Sequence, residues 1–309
     1  MIAPMKRREA LRLLSLSAVA CLATPAAGFL TAKKSLMKRP IPSSGEMLPV
    51  IGLGTWIQFD VDKVSSEIDL LKKVIGNMAE IGGRIVDSSP MYGRSEENIG
   101  SLTTQQTLED KFFYATKVWT RGRQAGIDQM EASMKKMHRE VMDLMQVHNL
   151  VDWRTHLQTL REWKKQGRIR YIGITHYTDS YHDELAEIVT KEKPDFVQFN
   201  YSIRSRYAEN RLLKTAHDNG VAVIINQPFE SGSLFSVVQH KKLPSWAAEY
   251  EINNWPQFML KYIVSHPAVT CAIPGTSNPV HLVENMETAY GKMPDEKGRK
   301  MMADFFDRL

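Results

Sequence analysis

Cysteine is nearly absent from this 309-residue chain, which has two, Cys21 and Cys271. Because Cys21 lies in an apolar N-terminal segment, the domain that follows it has one cysteine and cannot form an internal disulfide. Hydrophobic residues make up 43% of the chain and charged residues 24%, which is ordinary for a soluble globular protein. We therefore expect a sizeable hydrophobic core to stabilise the fold, which can form in a reducing compartment.

A general excess of positive charge is also absent, although the formal net charge is +5. Eight basic residues and one acidic residue lie in residues 1–40, so residues 41–309 have a net charge of −2. A nearly neutral domain has no overall field that would attract phosphates. We therefore expect no nucleic-acid partner.

The N-terminal apolar run is short and only moderately hydrophobic. Residues 6–8 are Lys-Arg-Arg, and the stretch that follows is interrupted by Pro25, an order that predicts a signal peptide over residues 1–30. The segment Arg7-Arg8-Glu9-Ala10-Leu11-Arg12 resembles a twin-arginine export signal, with Ala10 where phenylalanine is usual. We expect a periplasmic protein that leaves the membrane once the signal is removed. An uncleaved signal that anchors the protein in the membrane is the alternative.

Eight short runs rich in β-branched residues alternate with amphipathic stretches of helical period. The predicted strands cover residues 49–54, 84–88, 112–117, 143–148, 169–175, 196–200, 221–226 and 269–273. The predicted helices cover residues 65–80, 127–138, 154–166, 181–191, 209–219, 255–265 and 279–290. Eight strand–helix repeats favour an α/β fold, a parallel eight-stranded (β/α)8 TIM barrel over residues 49–309. A linker and N-terminal hairpin are predicted before it, over residues 31–48.

An open, doubly wound sheet is the alternative fold. Such a sheet normally has a turn with three glycines between its first strand and a helix. The corresponding segment, Ile51-Gly52-Leu53-Gly54-Thr55-Trp56, has two glycines and no predicted helix directly after it. The longest irregular stretch, residues 229–246, follows the seventh strand, where a barrel would place it on the catalytic face.

Four ionisable residues lie where a barrel has its active site, at or just after the carboxyl ends of strands two to four. They are Asp87, Tyr92, Lys117 and His148, which we call the tetrad. A free tyrosine titrates near about 10, and a nearby ammonium lowers that pKa. We therefore expect Lys117 to lower the pKa of Tyr92, while Asp87 compensates the charge of Lys117. We expect His148 to hold a carbonyl oxygen against Tyr92, which donates the proton.

Each member of the tetrad also has an ordinary structural role as an alternative. An aspartate beside two serines and a proline commonly caps a turn, as Asp87 could. A single tyrosine or histidine commonly packs in a core. Lys117 is the hardest to explain in this way, because a charge that ends an apolar strand is costly unless it is paired.

Five segments in the same order carry a resemblance to a known family. They are Asp87-Ser-Ser-Pro-Met-Tyr92-Gly93-Arg-Ser95-Glu96, Ala115-Thr-Lys117-Val, Met145-Gln-Val-His148, Ile172-Gly-Ile-Thr175 and Ile273-Pro-Gly-Thr-Ser277. Together they resemble the aldo/keto reductase superfamily over about residues 39–290. The resemblance implies NADPH, or NADH, bound over the barrel mouth, with hydride transfer to an aldehyde or ketone. It implies no metal.

The resemblance also assigns cofactor contacts. At the nicotinamide end they are Gly54, Thr55, Trp56, Asp87, Thr175, His176, Gln198 and Asn226. At the adenosine end, where a helix N-terminus favours phosphate, they are Gly275, Thr276, Ser277, His281, Glu284 and Asn285. Three features depart from the family pattern. Thr175-His176 stands where the family has a Ser-Asn pair, and Asn226 stands where the family has a stacking tyrosine. His281 and Gly275 stand where the family has an arginine and a lysine. The preference between NADPH and NADH is therefore left open.

Trp56, Met91, Trp119 and Phe229 are expected from their positions to wall a pocket for a small-molecule carbonyl substrate, with core packing as their alternative role. The sequence thus favours a nicotinamide-dependent carbonyl reductase, expected to be a monomer. A nucleotide-binding sensor or partner subunit with vestigial reductase activity is the second hypothesis, which the changes at Asn226 and His281 favour. A glycosidase or hydrolase barrel would need a second strand-end carboxylate near Asp87, and the predicted strands supply none.

Overall fold

A computed structural model describes residues 35–62 and 64–309 of the chain. The predicted signal peptide lies outside the described residues, as do the first four residues of the predicted linker. Within the described ranges, no helix has both the length and the apolar composition needed to cross a membrane.

An antiparallel hairpin precedes the barrel, with β1 at Lys38–Pro40 and β2 at Met47–Pro49. Ile41 and Leu48 from this hairpin are fully buried. They pack against apolar side chains near the amino ends of the barrel strands, such as Phe113. The hairpin therefore closes the end of the barrel opposite to the one where parallel strands place active sites.

Eight parallel strands form the sheet, in the same order in space as in the sequence. They are β3 (Leu53–Gly54), β4 (Ile85–Asp87), β5 (Phe113–Val118), β6 (Met142–His148), β7 (Ile169–Thr175), β8 (Phe196–Asn200), β9 (Ala222–Asn226) and β10 (Cys271–Ala272). Two parallel bridges, Ile51 to Ala272 and Gly54 to Gly275, join the first strand region to the last. The sheet thus closes on itself, and the predicted (β/α)8 barrel is confirmed.

Ten α-helices lie among the described residues. They are α1 (Glu67–Ile81), α2 (Ser95–Gln105), α3 (Arg123–Lys136), α4 (Trp153–Lys165), α5 (His182–Glu192), α6 (Leu212–Asp218), α7 (Ser233–Val238), α8 (Trp255–Val264), α9 (Pro279–Glu287) and α10 (Glu296–Phe306). Short 3-10 helices cover Glu109–Lys111, Asp179–Tyr181, Tyr207–Glu209, Glu230–Gly232 and Ser245–Tyr250. Seven helices match the predicted ones with shifted ends, whereas α2, α7 and α10 were not predicted.

Two layers of apolar side chains hold these elements together. One fills the barrel and consists of Ile41, Leu48, Ile85, Phe113, Ala115, Leu144, Tyr171, Phe196, Ala222, Ile224, Cys271 and Ile273. The other lies between the barrel and its helices; for example, α4 directs Trp153, Leu157, Leu160 and Trp163 inward at helical spacing. Strands covered on both faces are apolar throughout, which is why polar residues concentrate at their ends.

The parallel register determines which side chains meet at the carboxyl end of the barrel. Asp87 pairs in register with Ala115, Lys117 with Gln146, and His148 with Thr175. Because neighbouring parallel strands end at the same edge, three members of the tetrad are brought to one end of the barrel. Tyr92 follows in the loop between β4 and α2.

Candidate active site

A cavity of about 490 Å³ opens at the carboxyl ends of the strands. Twelve of the predicted site residues line it: Gly54, Thr55, Trp56, Asp87, Met91, Tyr92, His148, Thr175, Gln198, Asn226, Phe229 and Gly275. The structure thus gathers most of the predicted nicotinamide and substrate residues around one space.

The remaining predicted residues lie outside the cavity wall. Lys117 is fully buried beneath the cavity wall and forms an ion pair with Asp87. His176 is buried, and its ring is stacked with those of Tyr177 and Tyr181. Trp119 is 41% exposed, with its ring centroid 6.4 Å from that of His148. The rest of the predicted adenosine end, Thr276, Ser277, His281, Glu284 and Asn285, lies before and along α9.

Asp87 and Lys117 form a buried ion pair at the base of the cavity. Lys117 Nζ lies 2.5 Å from Asp87 Oδ2 and donates to the carbonyl oxygen of Ser88 at 2.6 Å. The other carboxylate oxygen, Asp87 Oδ1, accepts from the amides of Gln146 and Gln198, each at 3.0 Å. Burial disfavours the ammonium, but the charge of Asp87 and the hydrogen bond to it favour the ammonium, and the pKa of Lys117 is raised on balance. Lys117 is therefore a fixed positive charge.

Tyr92 lies over this pair, with Lys117 Nζ 5.0 Å from the centroid of its ring. Burial raises the pKa of Tyr92; Lys117 lowers it and Asp87 raises it further, with a net increase. Lys117 lowers the pKa of Tyr92 as predicted, but the net shift is upward, because desolvation of the phenolate exceeds the attraction of the ammonium. The consequence is a phenol that stays protonated at neutral pH, which is the form that can donate a proton.

His148 meets Tyr92 edge to face, with ring centroids 5.9 Å apart and planes at 83°. Burial lowers the pKa of His148 to about 2, and the positive charge of Lys117 acts in the same direction. The imidazole is therefore neutral throughout the physiological range and can hydrogen-bond a carbonyl oxygen without changing charge.

For the carbonyl reduction that the sequence predicts, we expect a rate that shows no histidine ionisation between about pH 5 and 8, because His148 titrates far below that window. The measurement is kcat against pH at saturating cofactor and substrate, for the wild type and for His148→Gln. An inflection in this window that disappears in the variant would show that the imidazole does become charged.

The family model for the aldo/keto reductase family matches residues 50–301. The chain belongs to the aldo/keto reductase family. It is therefore an oxidoreductase that acts on carbonyl or alcohol groups with NAD(P) as cofactor.

Characterised proteins resemble this aldo/keto reductase over most of its length. Methylglyoxal reductase YeaE of Escherichia coli is 26% identical over 259 residues, which covers 81% of this chain and 89% of the relative. The NADH-specific methylglyoxal reductase of the same organism is 25% identical over 261 residues, covering 74% and 78%. An aldo-keto reductase from Klebsiella pneumoniae, solved with NADPH, superposes with a TM-score of 0.74 at 20% identity, covering 88% of this chain and 96% of that one. The structural likeness supports the barrel fold.

Unpaired polar atoms in the cavity wall fit the nicotinamide end of the family's cofactor. Asn149 and Asn226 line the cavity, and the side-chain oxygen of each is buried without a partner among the described residues. A carboxamide NH₂ group supplies two donors, which such oxygens can accept. At the other end, Asn278 caps α9 by accepting from the backbone of Val280 at 2.9 Å. The free N–H groups of a helix start suit a phosphate.

Two polar side chains that contact the tetrad were not predicted from the sequence. Gln146 belongs to the third of the five segments and has no predicted role, yet its amide donates to Asp87 Oδ1. Its signal is its position two residues before His148, since alternate residues of a strand face the same side. Ser89 belongs to the first of the five segments and has no predicted role, yet its hydroxyl lies 2.9 Å from Nδ1 of His148.

Proposed function

We propose that this aldo/keto reductase reduces an aldehyde or ketone to the alcohol with NADPH or NADH, and that Tyr92 is the general acid. The observation that carries this proposal is the position of the Tyr92 phenol in the cavity wall, over the buried Lys117–Asp87 pair and edge to face with His148. A proton donor, a fixed cation and a neutral hydrogen-bonding group together suit carbonyl reduction.

Each side chain has one task in the proposed reaction. When bound, the reduced nicotinamide supplies the hydride to the carbonyl carbon. The hydroxyl of Tyr92 gives its proton to the carbonyl oxygen, and the phenolate left behind is stabilised by the ammonium of Lys117. Asp87 keeps that ammonium in place, and His148 holds the carbonyl oxygen near Tyr92.

The cavity favours an uncharged substrate. Its lining contains no lysine or arginine among the described residues, and the one carboxylate, Asp87, is already paired. Apolar groups from Trp56, Met91 and Phe229 face the same space. A carboxylate or phosphate on the substrate would therefore lose its hydration without gaining a counter-ion. The relatives named as methylglyoxal reductases make methylglyoxal the first compound to assay.

The direct test is consumption of NADPH and of NADH by the purified protein with methylglyoxal and with a neutral aromatic aldehyde. Turnover with either supports the reductase. Cofactor binding, measured by quenching of tryptophan fluorescence, without turnover on any carbonyl would instead support the nucleotide sensor. The observation behind that second candidate is Asn226, a small amide that lines the cavity where the family pattern has an aromatic ring.

We also propose that the protein is exported through the twin-arginine route. Residues 7–12 support this, although they lie outside the described residues. The double substitution Arg7→Lys/Arg8→Lys is expected to retain the protein in the cytoplasm, because the arginine pair is the recognised feature. Cell fractionation with immunodetection measures this, and Lys33→Arg/Lys34→Arg is the charge-matched control. Unchanged export of the arginine-pair variant would contradict the proposed route.

A further inference from the structure

Ser89 and His148 form a hydrogen bond behind the cavity wall. The oxygen Ser89 Oγ lies 2.9 Å from Nδ1 of His148. Ser89 is fully buried and His148 is 6% exposed. The Ser89 hydroxyl has no other hydrogen bond to a described residue, so the imidazole is its one partner in the described part of the chain.

The direction of this hydrogen bond follows from the burial of the serine. A neutral imidazole has one N–H group, on either Nδ1 or Nε2. If Nδ1 carried the proton and donated to Ser89, the hydroxyl proton would be buried without an acceptor, which is unfavourable. If Ser89 donates to Nδ1, both groups are satisfied.

The second ring nitrogen is the one left for a ligand. His148 lines the cavity, and its Nε2 makes no hydrogen bond to a described residue. We propose that Ser89 acts as a positioning residue that fixes the Nε2–H tautomer of His148, so that the imidazole presents a donor to the substrate oxygen. The consequence for the reaction rests on the proposed function, whereas the tautomer itself can be measured without turnover.

The neighbouring residue provides a matched control. Ser88 is also fully buried, but its hydroxyl has no partner among the described residues. Ser88→Ala and Ser89→Ala therefore remove the same atom at adjacent buried positions, and one of the two hydroxyls contacts His148. A general effect of burying a smaller side chain would alter both variants, whereas an effect on the tautomer is expected in Ser89→Ala alone.

The test is nitrogen NMR of protein labelled with nitrogen-15 histidine. The signals of His148 are those that disappear in His148→Gln. We expect the wild type and Ser88→Ala to show the Nε2–H pattern for His148. Ser89→Ala is expected to show a shift towards the Nδ1–H form, and Ser89→Thr, which keeps a hydroxyl, to restore the wild-type pattern. An Nδ1–H pattern in the wild type would overturn the proposal without any variant, as would an unchanged pattern in Ser89→Ala.

The kinetic counterpart is a fall in kcat of about tenfold in Ser89→Ala, the size expected for one lost hydrogen bond to the reacting oxygen. The dissociation constant of the cofactor is expected to stay at the wild-type value. A fall in kcat with an unchanged tautomer would mean that Ser89 acts through packing, which overturns the proposal. A wild-type protein with the Nε2–H tautomer but no turnover would refute the proposed function and leave the assignment of Ser89 intact.

Discussion

Tyr92→Phe is expected to lower kcat for carbonyl reduction by about a hundredfold to ten-thousandfold, which is the usual contribution of a positioned proton donor. The substitution removes one hydroxyl and leaves the ring, so the edge-to-face contact with His148 and the position over Lys117 remain. The raised pKa of Tyr92 means that the wild type carries the proton that the variant lacks. The affinity for cofactor is expected to be unchanged, which separates loss of chemistry from loss of binding.

Tyr171→Phe is the matched control for this experiment. This substitution also removes one hydroxyl, but that hydroxyl contacts Ser44 at 2.8 Å and Glu46 at 2.9 Å, between β1 and β2 at the other end of the barrel. Its kcat is expected to equal that of the wild type. A Tyr92→Phe protein that binds cofactor normally and reduces the carbonyl at the wild-type rate would assign the proton to another donor.

The barrel was predictable because its strands are apolar on both faces and regularly spaced, but α2 was not. This helix, Ser95–Gln105, buries Ser95, Glu96, Asn98 and Thr103 alongside Ile99 and Leu102. Polar residues on the inward face remove the apolar periodicity from which helices are predicted. Asn98, for example, donates to the carbonyl oxygens of Phe59 and Val61, which are tertiary contacts that no local pattern reveals.

Some features of the site can likewise be predicted from the local sequence, whereas others depend on tertiary contacts. Asp87, Lys117 and His148 were found because strand ends are visible in a sequence. The upward shift in the pKa of Tyr92 was not predicted, because it depends on how far burial outweighs the charge of Lys117. Packing from several strands sets that balance. Ser89 was missed for the same reason, since its partner His148 is 59 residues away in the sequence.

The buried pair of Asp87 and Lys117 also matters for stability. We expect substitutions of the two partners to lower the free energy of unfolding by different amounts. When one partner of a buried ion pair is removed, the charge left behind costs about 3–5 kcal/mol in the free energy of unfolding. After Lys117→Met, the carboxylate of Asp87 keeps two amide donors, from Gln146 and Gln198. After Asp87→Asn, the ammonium of Lys117 keeps the carbonyl oxygen of Ser88 but loses its counter-charge. The one side-chain oxygen that remains can accept from Lys117 or from the amides of Gln146 and Gln198, and the introduced NH₂ group then faces the remaining donors. We therefore expect Asp87→Asn to be the more destabilising substitution.

The double variant Asp87→Asn/Lys117→Met is expected to be more stable than the sum of the single effects predicts, because it leaves no unpaired charge in the barrel. Urea unfolding of the wild type, both single variants and the double variant gives the four free energies of unfolding for this double-mutant cycle. The exposed pair Lys214–Asp218 on α6, substituted in the same way, is the control and is expected to leave the unfolding midpoint unchanged. If the single effects at Asp87 and Lys117 add to within about 0.5 kcal/mol, the usual limit for independent sites, the two charges do not depend on each other. In that case Asp87 would not be the partner that keeps the ammonium of Lys117 charged beneath Tyr92.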